Sequence, residues 1–229
     1  MPKVDESFDN PPMTSLEGAH ARFAESVGRV RRYLPTVSPI MAMPLDSRAA
    51  DWTDAATLLN GDIGSYQSPE ILVPPLDWRV VERFEAWQMV ALGPVGAPAP
   101  DAVVLGLENA TEMLAMARVL RPGPFEEHTV ELGTYLGIRH KGRLVAMAGE
   151  RMQGPGWTEI SAVCTAEEFR GRGLATRLTR AVAAVIEARG QVPVLHVLGG
   201  HDAARALYEH IGFTQWKASI ITTVSPPGP

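Results

Sequence analysis

The sequence predicts a mixed α/β protein, and three observations predict it. Short apolar runs bounded by turn residues alternate with amphipathic helical patterns through residues 102–224. A Gly/Pro-rich run, Gly93-Pro94-Val95-Gly96-Ala97-Pro98-Ala99-Pro100, separates that region from a less regular first half. The composition, 45% hydrophobic and 21% charged over 229 residues, supplies one large core or two small ones. The expected organisation is an N-terminal α/β region (1–92), a semi-extended linker (93–101) and a second domain (102–225).

In the first half, residues 16–27 are expected to form a helix. Residues 48–59 make a better one, carrying Trp52, Ala55, Ala56 and Leu59. Residues 37–43, 71–73 and 79–92 are expected as strands, the last broken near Glu85. No phosphate loop, metal spacing or nucleophile motif occurs there, and no short-period repeat. In the second half, residues 102–107 are a short apolar strand. Asn109 or Thr111 can cap a helix to Leu120, where Met113, Leu114, Ala117 and Leu120 share a face. Pro122-Gly123-Pro124 breaks the chain. Residues 134–140 and 143–150 are strands joined by Lys141-Gly142, a hairpin turn. Gly154-Pro155-Gly156 turns into a third strand, 157–165. A helix over 173–188 is stopped by Gly190. A strand (192–198), a helix (202–211) and a last strand (213–224) complete the order β-α-β-β-β-α-β-α-β.

A net charge of −5 argues against a nucleic-acid partner bound by phosphate neutralisation. No apolar run reaches the length of a membrane span, and the opening Met-Pro-Lys-Val-Asp-Glu lacks a signal-peptide core. A single cysteine, Cys164, permits no internal disulfide and no zinc cluster. A cytoplasmic protein without metal or membrane partner, monomeric or homodimeric, is the expectation.

The chemistry is carried by Val163-Cys164-Thr165-Ala166-Glu167-Glu168-Phe169-Arg170-Gly171-Arg172-Gly173-Leu174-Ala175-Thr176, where a strand ends and a helix begins. Glycines at 171 and 173 let the backbone turn and present its N–H groups unobstructed. Those amides and the positive end of the helix suit a pyrophosphate, with Arg170, Arg172 and Arg177 nearby. A Walker loop would need Gly-Lys-Ser/Thr. A dinucleotide fingerprint would need a third small residue at Thr176 and an acidic residue ending the next strand, which reads Val197-Leu198-Gly199. Both readings fail.

Arg170-x-x-Gly173-x-Ala175 after a Val-x-Thr strand end resembles the acyl-CoA loop of the GNAT N-acetyltransferase superfamily. Ala204-x-x-Leu207-Tyr208-Glu209-x-x-Gly212-Phe213 is similar to that family's later helix. Within the superfamily, the runs 132–138, 144–150 and 158–163 resemble the FR47-like bacterial group. The Asp9-Asn10-Pro11 opening and the irregular first half are also similar to that group. The resemblance implies a GNAT fold behind a degenerate N-terminal α/β half, with acetyl-CoA as co-substrate and an amine as acceptor. It puts pantetheine along Val163, Cys164 and Thr165 as an added strand, and the pyrophosphate on Arg170, Gly171, Arg172, Gly173, Leu174, Ala175 and Thr176. His201 stands where many relatives carry an asparagine near the pantetheine arm. Tyr208 matches the general acid. For the base, Glu159 is considered first and Glu150 second.

The implied activity is acetyl transfer to a primary amine of a small molecule or amino acid by direct attack in a ternary complex. A longer-chain acyl-CoA N-acyltransferase with a glycine-type acceptor, and a non-catalytic acyl-CoA sensor, stay open as alternatives. Plainer roles stand beside these. Cys164 reads as a small buried hydrophobe, His196 and His201 as polar packing residues, and Arg29, Arg31 and Arg32 as a solvated face.

Overall fold

The computed structural model describes residues 4–228. Residues 1–3, which entered the reading of the chain's opening, and Pro229 lie outside the described residues. Five helices and eleven strands follow one another: α1 (Pro11–Glu17), β1 (Ala24–Val27), β2 (Val30–Tyr33), β3 (Met41–Ala42), α2 (Ala49–Leu59), β4 (Gly64–Ser68), β5 (Arg79–Ala91), β6 (Val103–Leu105), α3 (Ala110–Leu120), β7 (Tyr135–His140), β8 (Arg143–Gly154), β9 (Trp157–Thr165), α4 (Leu174–Ala188), β10 (Val192–Leu198), α5 (Asp202–Ile211) and β11 (Phe213–Ser225). From β6 onward the order is the one expected from the sequence.

One eight-stranded sheet, ordered β4-β11-β5-β10-β9-β8-β7-β6, organises the molecule, and β1-β2-β3 form a second small sheet. Strand β5, from the first half of the chain, lies between β10 and β11 of the second, antiparallel to both. Residues 93–101 then cross α4. Val95 is buried, and the Val95 and Gly96 N–H groups donate to the Glu187 carboxylate at 2.8 and 3.1 Å.

Helix α4 buries Leu174, Leu178, Ala181, Val182 and Ile186, a helical stripe against one sheet face. Tyr208 and Ile211 of α5 join the same core. Helix α3 covers the other face with Ala110, Met113 and Ala117, packed on Met147 and Cys164. Burying such a stripe against a sheet stabilises both elements by roughly 25 cal/mol per Å² of apolar surface. No helix among the described residues is long and apolar enough to cross a membrane.

The first half departs from the sequence reading in five places. Residues 16–27 do not form one helix: α1 ends at Gly18, and a hairpin, β1–β2, begins at Ala24. The expected strand 37–43 contracts to β3, and 71–73 is not a strand. Strand β5 runs through Glu85 unbroken, because β11 pairs with it from Ser225↔Arg79 to Phe213↔Ala91. Finally, β4 was not anticipated; its sequence, Gly-Ser-Tyr-Gln-Ser, has no apolar alternation, and pairing with β11 holds it extended.

The N-terminal layer is tied to the sheet through His20. Its Nδ1 lies 3.0 Å from Ser15 Oγ and 2.9 Å from Tyr33 Oη, and its Nε2 lies 3.1 Å from the Leu132 carbonyl. Burial pushes this imidazole down to about 4 from 6.5, against the opposing Leu132 contact and with help from Arg22. Between pH 6.5 and about 4 the unfolded chain therefore binds a proton that the folded chain excludes. Stability should fall across that window as pH drops, by on the order of 3 kcal/mol. Urea titrations at several pH values should show this slope in the wild type and a flatter one in His20→Gln.

Candidate active site

Strands β9 and β10 run parallel and pair from Trp157↔Val192 to Ile160↔Leu195. Beyond Leu195 they part. His196 to Leu198 pair with β5 alone, while Ser161 and Cys164 pair with β8 alone. A bulge sharpens the departure: Gly149 faces Ser161 and Met147 faces Cys164, so β9 carries one extra residue. Ala162 takes up that residue in a left-handed conformation, φ 54°. A splayed parallel pair leaves backbone N–H and C=O groups without strand partners, and such groups take a ligand or water.

Two clefts meet there. The first, about 420 Å³, is lined by Val163, Cys164, Thr165, Arg170, Gly171, Gly173, Leu174, Ala175 and Thr176, and also by Leu120, Phe169 and Leu207. Gly171 and Gly173 have φ of 73° and 72°. A Cβ at either would meet no atom within 4 Å, so the loop's backbone is bare on the cleft side. Gly173 caps the fifteen-residue α4, whose N-terminal amides and dipole point into the same space. The Thr165 hydroxyl is buried without a hydrogen-bond partner among the described residues. Burial pushes the Cys164 thiol up to about 12, mildly opposed by a contact with the Met147 backbone, which leaves an inert, protonated side chain.

The second cleft, about 400 Å³, opens on the α3 side and shares Val163 with the first. Tyr208 and His201 line it, as do Glu159, Arg151, His196 and Gln67. Tyr208 is 9% exposed, and burial pushes its phenol up to about 12. Among the described residues no group hydrogen-bonds its hydroxyl.

Glu159 is wholly buried and fully engaged. Arg151 grips it through Nε at 2.9 Å and Nη2 at 2.5 Å, and His196 Nδ1 lies 2.7 Å from Oε1. His196 Nε2 in turn lies 2.7 Å from Gln67 Nε2, which donates to Ser219 Oγ at 3.0 Å. The imidazole thus bridges the Glu159 carboxylate on one side and the Gln67 amide on the other. Burial alone would raise the Glu159 carboxyl, but Arg151 and then His196 outweigh it and hold it at about 2.

The residues expected at the site thus divide. Nine of the residues expected to bind the cofactor line the first cleft. Arg172 instead lies 4.8 Å over the Phe169 ring and donates to the Glu168 carbonyl. His201 lies in the second cleft with Tyr208 and Glu159. Glu150 is on the opposite side of the sheet, where it accepts from Arg189 at the end of α4 at 2.8 Å. Sequence reasoning missed Arg151, Gln67 and the place of His196. Arg151 follows Glu150 in the same strand, and alternation alone would have pointed the two to opposite faces. Gln67 is 129 residues from His196, and nothing local could have joined them.

The FR47-like protein family matches residues 135–221. A solved structure from Novosphingobium aromaticivorans, assigned to the GNAT family of acetyltransferases, is 38% identical. It superposes with a TM-score of 0.90 over 98% of this chain and 100% of its own. A GCN5-related N-acetyltransferase from Kribbella flavida shares the fold, with TM-score 0.60, 21% identity and 95% of each chain covered. The N-alpha-acetyltransferase RimI of Mycobacterium tuberculosis is 38% identical over 82 residues, 34% of this chain and 51% of its own length. The N-alpha-acetyltransferase 30 of Schizosaccharomyces pombe is 39% identical over 59 residues, 25% of this chain and 39% of its own. The matches thus span only about two fifths and half of those two proteins. The chain belongs to the GNAT family of acetyltransferases.

Proposed function

We propose that this protein is an acetyl-CoA-dependent N-acetyltransferase acting on a primary amine of a small molecule or amino acid. The observation that carries the reading is the meeting of two clefts at Val163, where β9 and β10 part. The first cleft fits the co-substrate: bare amides at Gly171 and Gly173 suit a pyrophosphate, and the unpartnered Thr165 hydroxyl suits a polar group of the pantetheine arm. Bound acetyl-CoA supplies an activated thioester. The amine enters from the second cleft, and the two walls fix the approach, so that proximity provides much of the rate.

Tyr208 holds a proton at its Oη for the departing sulfur. A phenol raised to about 12 stays protonated throughout the working range. Glu159 lines the second cleft, but its oxygens are committed to Arg151 and His196, and a carboxylate held at about 2 binds a proton poorly. We assign it to positioning His196 and Arg151. The pH dependence of kcat/KM should then follow the acceptor amine's own pKa, and acceptors of lower pKa should shift the profile down.

Tyr208→Phe tests the acid assignment cleanly, because the hydroxyl makes no hydrogen bond among the described residues. Coenzyme A release should slow by roughly 10²–10⁴-fold, with acetyl-CoA affinity and thermal stability unchanged. A mutant as fast as wild type would remove Tyr208 from the mechanism. Tight acetyl-CoA binding with no release in either protein, whatever the amine, would favour an acyl-CoA sensor.

A further inference from the structure

Arg151 is bound on one side only. Its Nε and Nη2 are taken by Glu159, while Nη1 makes no hydrogen bond among the described residues. The side chain is 13% exposed and lines the second cleft. The neighbouring wall is Arg121-Pro122-Gly123-Pro124, with Gly123 at φ 125°. A Cβ on Gly123 would stand 3.6 Å from Arg151 Nη1, so a glycine here leaves that nitrogen uncovered on the cleft side. A guanidinium withdrawn from water needs partners for its remaining N–H groups, and planar oxygen pairs satisfy them best.

The charges on this wall favour an anionic partner over a neutral carbonyl. Arg121, at the end of α3, lines the same cleft and forms no ion pair among the described residues. The nearby carboxylate, Glu159, is already spent on Arg151 and His196. The other carboxylate lining the cleft is Glu82, on β5.

We propose that Arg151 Nη1 and Arg121 anchor a carboxylate of the acceptor, so that the substrate is a primary amine that also carries a carboxylate. This rests on the acyl-transfer reading and assigns its specificity. A polypeptide N-terminus, whose amine is followed by an amide, is the competing acceptor and an outcome of the test.

The experiment uses the full chain and matched acceptors that differ only in the carboxylate: α-, β- and γ-amino acids, their amides, and a short peptide amide. Coenzyme A release gives kcat and KM. Calorimetry of the amino acids into protein saturated with coenzyme A gives binding independently of turnover. The expected preference of acid over amide is roughly tenfold or more in kcat/KM. Arg121→Gln, on the surface, should reduce that ratio chiefly through KM. Arg151→Lys, which retains a partner for Glu159, should reduce it further. Equal turnover of acid and amide, or a peptide amide as best acceptor, would overturn the inference while leaving acyl transfer intact. Absence of turnover with every amine would instead strike the functional reading. Calorimetry then decides the anchor: binding weakened by Arg121→Gln supports it, and no binding of any amino acid overturns it.

Discussion

Glu159→Ala is expected to destabilise the protein by about 3–5 kcal/mol, because it strands the Arg151 guanidinium in a buried site. The loss should be read from urea denaturation at neutral pH. The double variant Glu159→Ala/Arg151→Met should recover much of it, since removing both charges also removes the stranded one. In the wild type the carboxylate's contribution has a defined pH window. Its folded pKa, about 2, lies below the ordinary 4.5, so the contribution is complete above 4.5 and lost as pH falls towards 2. That window begins near the lower end of the one set by His20, so His20→Gln is needed to separate the two in an acid titration. A double variant no more stable than Glu159→Ala would mean that Arg151 finds other partners.

Gly173→Val should damage the co-substrate site more than the fold. At φ 72° a β-branched side chain is strained by about 1–2 kcal/mol. The fold has room for it, since a Cβ there meets nothing within 4 Å. That open space is the one we assign to the pyrophosphate. Acetyl-CoA affinity should therefore drop roughly 10–100-fold, the value of a hydrogen bond or two to a charged group, while the denaturation midpoint moves little. Unchanged affinity by calorimetry would place the pyrophosphate elsewhere.

These expectations rest on parts of the molecule that were unequally legible. From β6 onward the turns and apolar periods lie within short stretches: Lys141-Gly142 joins β7 to β8, and Gly190 ends α4. Local chemistry suffices to read them. Residues 16–27 were misread because Leu16 and Phe23 are buried at a spacing a helix also explains, while the β1–β2 hairpin depends on a turn at Gly28. Strand β4 is held extended by β11 on one side and by a bridge from Ile40 on the other, and β5 lies between two strands from the far end of the chain.

The site shows the same division. The glycine turn from Arg170 to Thr176 was legible because its glycines and the helix after it are contiguous. Tyr208 was singled out through a motif, and its neighbourhood with Glu159 came only with the sheet. The grip of Arg151 on Glu159 needs the turn at Gly154-Pro155-Gly156 and the register of β8 on β9, including the irregularity between Glu150 and Gln153. A single residue's difference in that register would exchange Glu150 and Arg151 across the sheet.

In the proposed reaction an amine in the second cleft takes an acetyl group from a thioester in the first. The most direct test incubates the full chain with acetyl-CoA and a panel of primary amines, measuring free coenzyme A thiol and acetylated amine together. Both are expected to appear one for one, only with particular amines, and to fall together in Tyr208→Phe. Thiol released at the same rate without any amine, or no acetylated product from any of them, would contradict it.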